Sequence, residues 1–224
     1  MLRMENTEVI GWEAAIRGMR NPLNSWGKSD SHECHYTGCP MYDNGHEPAH
    51  KCNDGEYGFC IGKNDLALMK RLREAGSDHR KYMRMIAVYV DCSASWYWWK
   101  EYDTYKVGTV ANSCSTMHKV AAKKFTLDDF SYEHLTETSR NCLEVVINAM
   151  NYYREEYNKT KSKEAWWQMI QLMPSSYIQK RTLMLNYEVL SNIYHARKNH
   201  KLDEWHEFCR WIESLPYSEL ITGV

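Results

Sequence analysis

Net charge is almost absent from this chain: 28 Lys and Arg stand against 29 Asp and Glu, a balance of −1 over 224 residues. No global field is available to grip a phosphate backbone, so a basic DNA- or RNA-binding arm is not expected and no nucleic-acid polymer is assigned as partner. Long apolar runs are missing too. Ile86 to Val90 is short and flanked by charge, far below the roughly 18 residues of a membrane helix, which excludes a helical span. The opening Met1 to Glu8 carries charge where an apolar secretory core would lie, so the expectation is a cytoplasmic protein whose thiols stay reduced. Neither a P-loop nor a Gly-x-Gly-x-x-Gly occurs, and there is no internal repeat or low-complexity tract.

What is present is aromatic. The apolar fraction leans on 16 Tyr, 9 Trp and 12 Met, which explains a mean hydropathy of −0.67 in a chain that is 43% hydrophobic. At this length one domain spanning 1–224 is expected, large enough for a substantial core. A short helix over 11–20 should stop at Asn21-Pro22, because the residue before proline is pushed out of the α region. Asn64 can cap a helix through 64–75 that Gly76 ends, and Tyr82 to Asp91 mixes alternation with β-branched and aromatic residues, a strand signal. Apolar residues at helical spacing predict helices over 140–157 and 183–212. The fold class that follows is α+β: a β-sheet packed with helices.

Three constellations could carry chemistry. On the C-terminal helix, Tyr187, Tyr194, Leu202, Trp205, Cys209 and Ile212 project onto one core stripe, with Asn186, Ile193, Arg197, His200 and Glu204 in a row beside it. That row reads either as a cleft wall or as a solvated charged face. A loop after Gly108 gathers Asn112, Ser113, Ser115, Thr116 and His118, with Lys106 upstream, and reads as a phosphate cradle or as a capped polar loop. The segment 30–61 is an excursion almost without aliphatic residues. Within it Cys34, Cys39, His46, His50, Cys52 and Cys60 have spacing compatible with tetrahedral zinc, and a disordered loop of thiols is the other reading. Cys92, Cys114, Cys142 and Cys209 read as buried small hydrophobes, and Trp96 to Trp99 and Trp166-Trp167 as packing.

Taken together, the second and first constellations resemble the flavin-dependent thymidylate synthase family. That family's signature is Arg-His-Arg-x-x-Ser-x-Asn-Glu-x-Ser-x-Arg-Tyr, preceded by Arg-Gln. Lys100-Glu101, Thr104-Tyr105-Lys106 and Asn112 to His118 look like a degenerate copy in which Asn112 and Ser115 match. Its C-terminal helix carries two Asn, an Arg and a His at the spacing of Asn186, Asn192, Arg197 and His200; Met173-Pro174 stands for its Leu-Pro, Glu204 for a glutamate, and Asp78-His79 for a Glu-His before a strand. The resemblance covers about 62–212.

It implies FAD held by His79, Lys106, Asn186, Asn192 and His200. It implies a pyrimidine deoxynucleotide, dUMP or an analogue, held by Asn112, Ser113, Ser115 and Arg181, with Arg197 catalytic at the uracil ring. NADPH and methylenetetrahydrofolate would be co-substrates in a one-carbon transfer, and the family's homotetramer would be the assembly. Ser113 stands where the signature has Glu, and Met117 where it has Arg. Two readings therefore follow: a synthase-like methyltransferase, or a nucleotide- or flavin-binding module on the same fold with a regulatory or phage–host role.

Overall fold

The computed structural model describes residues 2–34 and 58–223. In chain order the elements are β1 (Arg3–Ile10), α1 (Trp12–Arg20), β2 (His32–Cys34), β3 (Gly58–Cys60), α2 (Lys63–Glu74), β4 (Ala87–Ser95), α3 (Trp96–Tyr102), β5 (Val110–Ser113), α4 (Thr116–Lys119), α5 (Glu137–Thr160), α6 (Lys163–Leu172), β6 (Ile178–Asn186), α7 (Tyr187–Arg197), α8 (Asp203–Glu213) and α9 (Glu219–Thr222). Four strands form a sheet in the order β1-β4-β6-β5, and β2 pairs with β3 antiparallel, His32 opposite Cys60 and Cys34 opposite Gly58. The α+β expectation holds.

The chain divides into two compact units, and it crosses the division within each strand of the sheet. Unit 1 comprises 1–6, 90–106 and 111–183. Its core packs Phe125, Phe130, Leu143, Ile147, Met150, Met169 and Met173, with Tyr177 edge-on to Phe130 at 5.7 Å. Helix α5 is anchored at its start by Thr136, whose hydroxyl accepts from the Ser139 amide, and α6 by Ser162, which accepts from Ala165. Both are N-caps of the kind that satisfy otherwise orphaned donors.

Unit 2 comprises 7–89, 107–110 and 184–223 of the described residues. Trp12, Ile16, Met69, Met83, Ile86, Tyr187, Leu190, Phe208 and Ile221 are buried there, and Trp12 meets Tyr187 and Tyr217 edge-on, each at 5.2 Å. The same unit holds a buried ion pair. Arg20 contacts the Asp65 carboxylate at 2.6 Å, and that carboxylate also accepts from Ser29 and Ser31 hydroxyls at 2.7 Å and from the Asp30 amide. Burial would raise the Asp65 pKa, but the hydrogen bonds from Ser29, Ser31 and Arg20 and the Arg20 charge outweigh it and hold it low. Asp30 in turn accepts the Asn64 and Asp65 amides, so the start of α2 is capped from a distant loop and not by Asn64.

Two predicted boundaries differ. The strand begins at Ala87 and not Tyr82: Arg80–Met85 is a 3-10 helix with Tyr82 and Met83 buried, since the Tyr82 hydroxyl donates to the Met69 carbonyl at 2.8 Å and holds the segment inward. The single helix predicted over 183–212 is three elements. Leu183 and Leu185 alternate inward as the end of β6, and a turn at 198–202 separates α7 from α8. Local apolar spacing does not register such a turn when Leu202 and Trp205 happen to keep phase.

Candidate functional site

Each unit carries one half of the sequence-predicted residues. In unit 1, Asn112 and Ser113 sit exposed on β5, and Ser115 caps α4, its hydroxyl accepting from the His118 amide at 3.2 Å. That hydroxyl is therefore already engaged in local structure. Cys114 extends the strand pairing, its amide donating to the Lys180 carbonyl at 3.0 Å, while its own carbonyl accepts from Gln179 at 2.9 Å. Arg181 pairs with Asp103 at 2.7 Å and lies 4.2 Å over the Trp99 ring, a cation held by both charge and a π face. Lys106 and Met117 are exposed.

In unit 2 the polar groups form two clusters. The first surrounds Glu188: Arg80 reaches it at 3.2 Å, Arg84 contacts it more closely, and Arg80 also donates to the Asn192 side-chain oxygen at 3.2 Å. Burial tends to raise the Glu188 pKa, yet hydrogen bonding and charge from Arg84, then Arg80, bring it down. His79, exposed, stands at the entry of the same 3-10 turn. On α7 nearby in sequence, His195 is pushed down, first by burial and then by the charges of Lys198, Arg73 and Arg80. Arg80, Arg84 and Glu188 were missed by motif reading, although two arginines four apart beside His79 were the available signal.

The second cluster centres on Trp205. The Arg197 guanidinium lies 4.8 Å over its ring, and His200 meets it edge-on at 6.2 Å. The His200 Nδ1 accepts from the Leu202 amide at 3.2 Å, closing the turn between α7 and α8. So Arg197 and His200 do come together, but through a turn and a shared indole, not along a continuous helical row. Asn186 faces elsewhere. Its Oδ1 accepts from the Val189 amide at 3.0 Å as the α7 N-cap, and its Nδ2 donates to the Gly108 carbonyl at 3.4 Å. Gly108 has φ +74°, and a Cβ there would stand 3.0 Å from both Asn186 Nδ2 and Val189 Cγ2, so the close seat of this loop requires glycine.

Among the expected metal ligands, Cys39, His46, His50 and Cys52 lie outside the described residues. Cys34 and Cys60 are placed in β2 and β3, and no cluster of three or more metal-ligating side chains occurs among the described residues. The cysteine expectation is corrected in part: Cys92 and Cys209 are buried, but Cys114 and Cys142 are exposed. Cys142 lies on the side of α5 away from buried Leu143 and Ile147, and Cys114 follows the exposed strand β5.

The sheet order β1-β4-β6-β5 with helices from the connecting segments defines an α+β architecture. Solved structures share the overall fold, among them two thymidylate synthases. The Thymidylate Synthase X of Helicobacter pylori with FAD and dUMP superposes with a TM-score of 0.64 over 99% of this chain and 97% of its own, at 15% identity. A flavin-dependent thymidylate synthase ThyX from Helicobacter pylori, complexed with FAD and dUMP, gives 0.63 over 99% and 98%, also at 15% identity. No family model and no curated protein sequence matches the chain. No helix among the described residues is long and apolar enough to cross a membrane.

Proposed function

We propose that this chain is a flavin-dependent, thymidylate synthase-like protein that binds FAD and a pyrimidine deoxynucleotide and transfers a one-carbon unit to it. The observation that carries the reading is the fold match over nearly the whole of both chains, together with Asn186, Asn192, Arg197 and His200 at the family's spacing.

The donor set suits the cofactor. Arg80, Arg84, His79 and Asn192 gather cations and hydrogen-bond donors in one unit, the chemistry a dinucleotide diphosphate needs. Glu188 orients the two arginines and offsets part of their charge. Flavin, when bound, supplies the hydride; the protein's share is orientation and electrostatics. Arg197, held by its indole platform, would hydrogen-bond the pyrimidine carbonyls and favour negative charge developing on the ring. Asn112, Ser113, Ser115 and Arg181 would meet the nucleotide, with NADPH and methylenetetrahydrofolate as co-substrates in a homotetramer located in the cytoplasm.

The second reading, a nucleotide- or flavin-binding module without synthase chemistry, rests on Met117. It stands 53% exposed where the signature carries a phosphate-binding cation, and the loss of a charge-assisted hydrogen bond there weakens binding by roughly 1.5–3 kcal/mol. The test is the purified protein itself. It should be yellow or gain flavin absorbance on adding FAD, and should release tritium from labelled dUMP with NADPH and methylenetetrahydrofolate. Flavin uptake or dUMP binding without release supports the module; no flavin uptake overturns the synthase reading, and binding of neither ligand overturns both. For the Cys-rich excursion we propose one zinc held by four of Cys34, Cys39, His46, His50, Cys52 and Cys60, to be checked by elemental analysis of wild type and Cys34→Ser under reducing conditions.

A further inference from the structure

Gln179 lies near the start of β6 in unit 1, and its side chain joins two groups that the nucleotide reading uses. Its Oε1 accepts from Arg181 Nε at 3.2 Å, and its Nε2 donates to the Cys114 carbonyl at 2.9 Å. A guanidinium only donates and a carbonyl only accepts, so the amide has one orientation here; turned over, it would set donor against donor and oxygen against oxygen. Both Arg181 and Gln179 are braced. Trp99 presents its ring to Arg181 at 4.2 Å and donates from Nε1 to the Gln179 main-chain carbonyl at 3.0 Å, while Asp103 takes a second Arg181 N–H at 2.7 Å. A line of contacts thus runs from Asp103, just past α3, through Arg181 and Gln179 on β6 to Cys114 in the loop after β5.

We propose that Gln179 is a positioning residue for nucleotide binding, acting through the peptide unit between Cys114 and Ser115; the inference rests on the nucleotide reading above. A trans peptide unit is planar, and its C=O and N–H point opposite ways. Holding the Cys114 carbonyl toward Gln179 therefore turns the Ser115 N–H away from that side chain. The direction matters because charge is weak at this point of the loop. Met117 stands where the signature has a cation, and the Ser115 hydroxyl oxygen is taken by the His118 amide at 3.2 Å. A second loop carbonyl is tethered as well: that of Met117 accepts from Trp166 Nε1 at 3.3 Å. Two carbonyl dipoles that would repel a phosphate are thus drawn to donors on β6 and α6. Fixing a neutral donor in place lowers the ordering cost of binding, which replaces by geometry part of what the missing cation supplied by charge.

The test uses the full chain as wild type, Gln179→Met and Gln179→Glu, with circular dichroism and flavin uptake as controls that should not change. Gln179→Met keeps the side-chain length and loses both hydrogen bonds. Gln179→Glu keeps an acceptor for Arg181 and offers the Cys114 carbonyl no donor. Calorimetric affinity for dUMP should fall about 2- to 12-fold in Gln179→Met, the worth of one neutral hydrogen bond, and at least as much in Gln179→Glu. Hydrogen exchange read by mass spectrometry separates positioning from general loosening. Saturating dUMP should protect the segment 112–118 in wild type and not in Gln179→Met, while protection elsewhere is retained. Wild-type affinity in Gln179→Met, or full protection of 112–118 in that variant, overturns the role. A loss in Gln179→Met without one in Gln179→Glu assigns the effect to Arg181 alone and overturns the action through Cys114. A wild type that binds no dUMP overturns the nucleotide reading and the proposal with it, whereas the other outcomes leave that reading standing.

Discussion

The Arg197 guanidinium sits 4.8 Å over the ring of Trp205, a side chain with no exposed surface, while His200 abuts the same ring at 6.2 Å. One buried indole thus sets the position of two polar groups that the chain carries on either side of a turn. The arrangement separates two roles that substitution can test. Arg197→Lys keeps the charge but loses the planar fork, so it should abolish nucleotide use while flavin binding and the fold persist. Trp205→Phe leaves a smaller face for the cation. With cation–π contacts worth about 0.5–2 kcal/mol, dUMP affinity should fall about 2- to 30-fold. Titration calorimetry with dUMP, beside a flavin titration, checks both; equal losses for the two ligands would deny the positioning role.

Asp65 and Arg20 form a pair almost wholly out of water, and breaking such a pair by removing one partner costs about 3–5 kcal/mol. Asp65→Ala should therefore lower the denaturant midpoint sharply, more than Glu13→Ala in the exposed pair with Arg17, which should change it little.

The same carboxylate gives a pH dependence. Its folded pKa lies below the value of an unfolded aspartate, near 3.9, so its contribution is fully present above about pH 4 and is lost as pH falls through the folded value. Glu188 is lowered too and acts in the same direction. Urea midpoints should fall between pH 6 and pH 3, and Asp65→Asn should flatten that slope; an unchanged slope contradicts the assignment.

Gly108→Ala meets two penalties at once. The backbone lies in the left-handed region, and the new Cβ would crowd Asn186 and Val189. A loss of about 1–2 kcal/mol from conformation alone is expected, seen as a Tm lower by about 2–8 °C. Because Asn186 also caps α7, amide exchange in the first turn of α7 should quicken in the variant.

Cysteine reactivity should sort by burial. Cys92 is pushed well up by desolvation, and Cys209 is raised to about 11, chiefly by burial and then by the Glu213 charge. Both should resist maleimide until the protein unfolds, whereas Cys114 should label in the native state. Site-resolved mass spectrometry reads this directly. Cys142, exposed on α5, should label in the native state as well.

The sequence alone determined the elements whose cause is local. Asn21-Pro22 follows α1, Gly76 lies just past α2, and the apolar period of α5 is legible, because caps, breakers and periodicity act over a few residues. The likeness of the C-terminal Asn, Arg and His spacing to a flavin-dependent synthase was also legible, being a pattern of residue types. What only the tertiary structure decided depends on distant partners. Tyr82 reaching Met69 turns an alternating segment into a 3-10 helix, Asp30 caps a helix 33 residues later in place of Asn64, and Trp205 folds back on Arg197 across a turn that a continuous wheel concealed. Helix α5 shows the same division. Its apolar residues could be read from the sequence, but whether they face the core or solvent was set by which side of the helix Leu143, Ile147 and Met150 had already committed to burial.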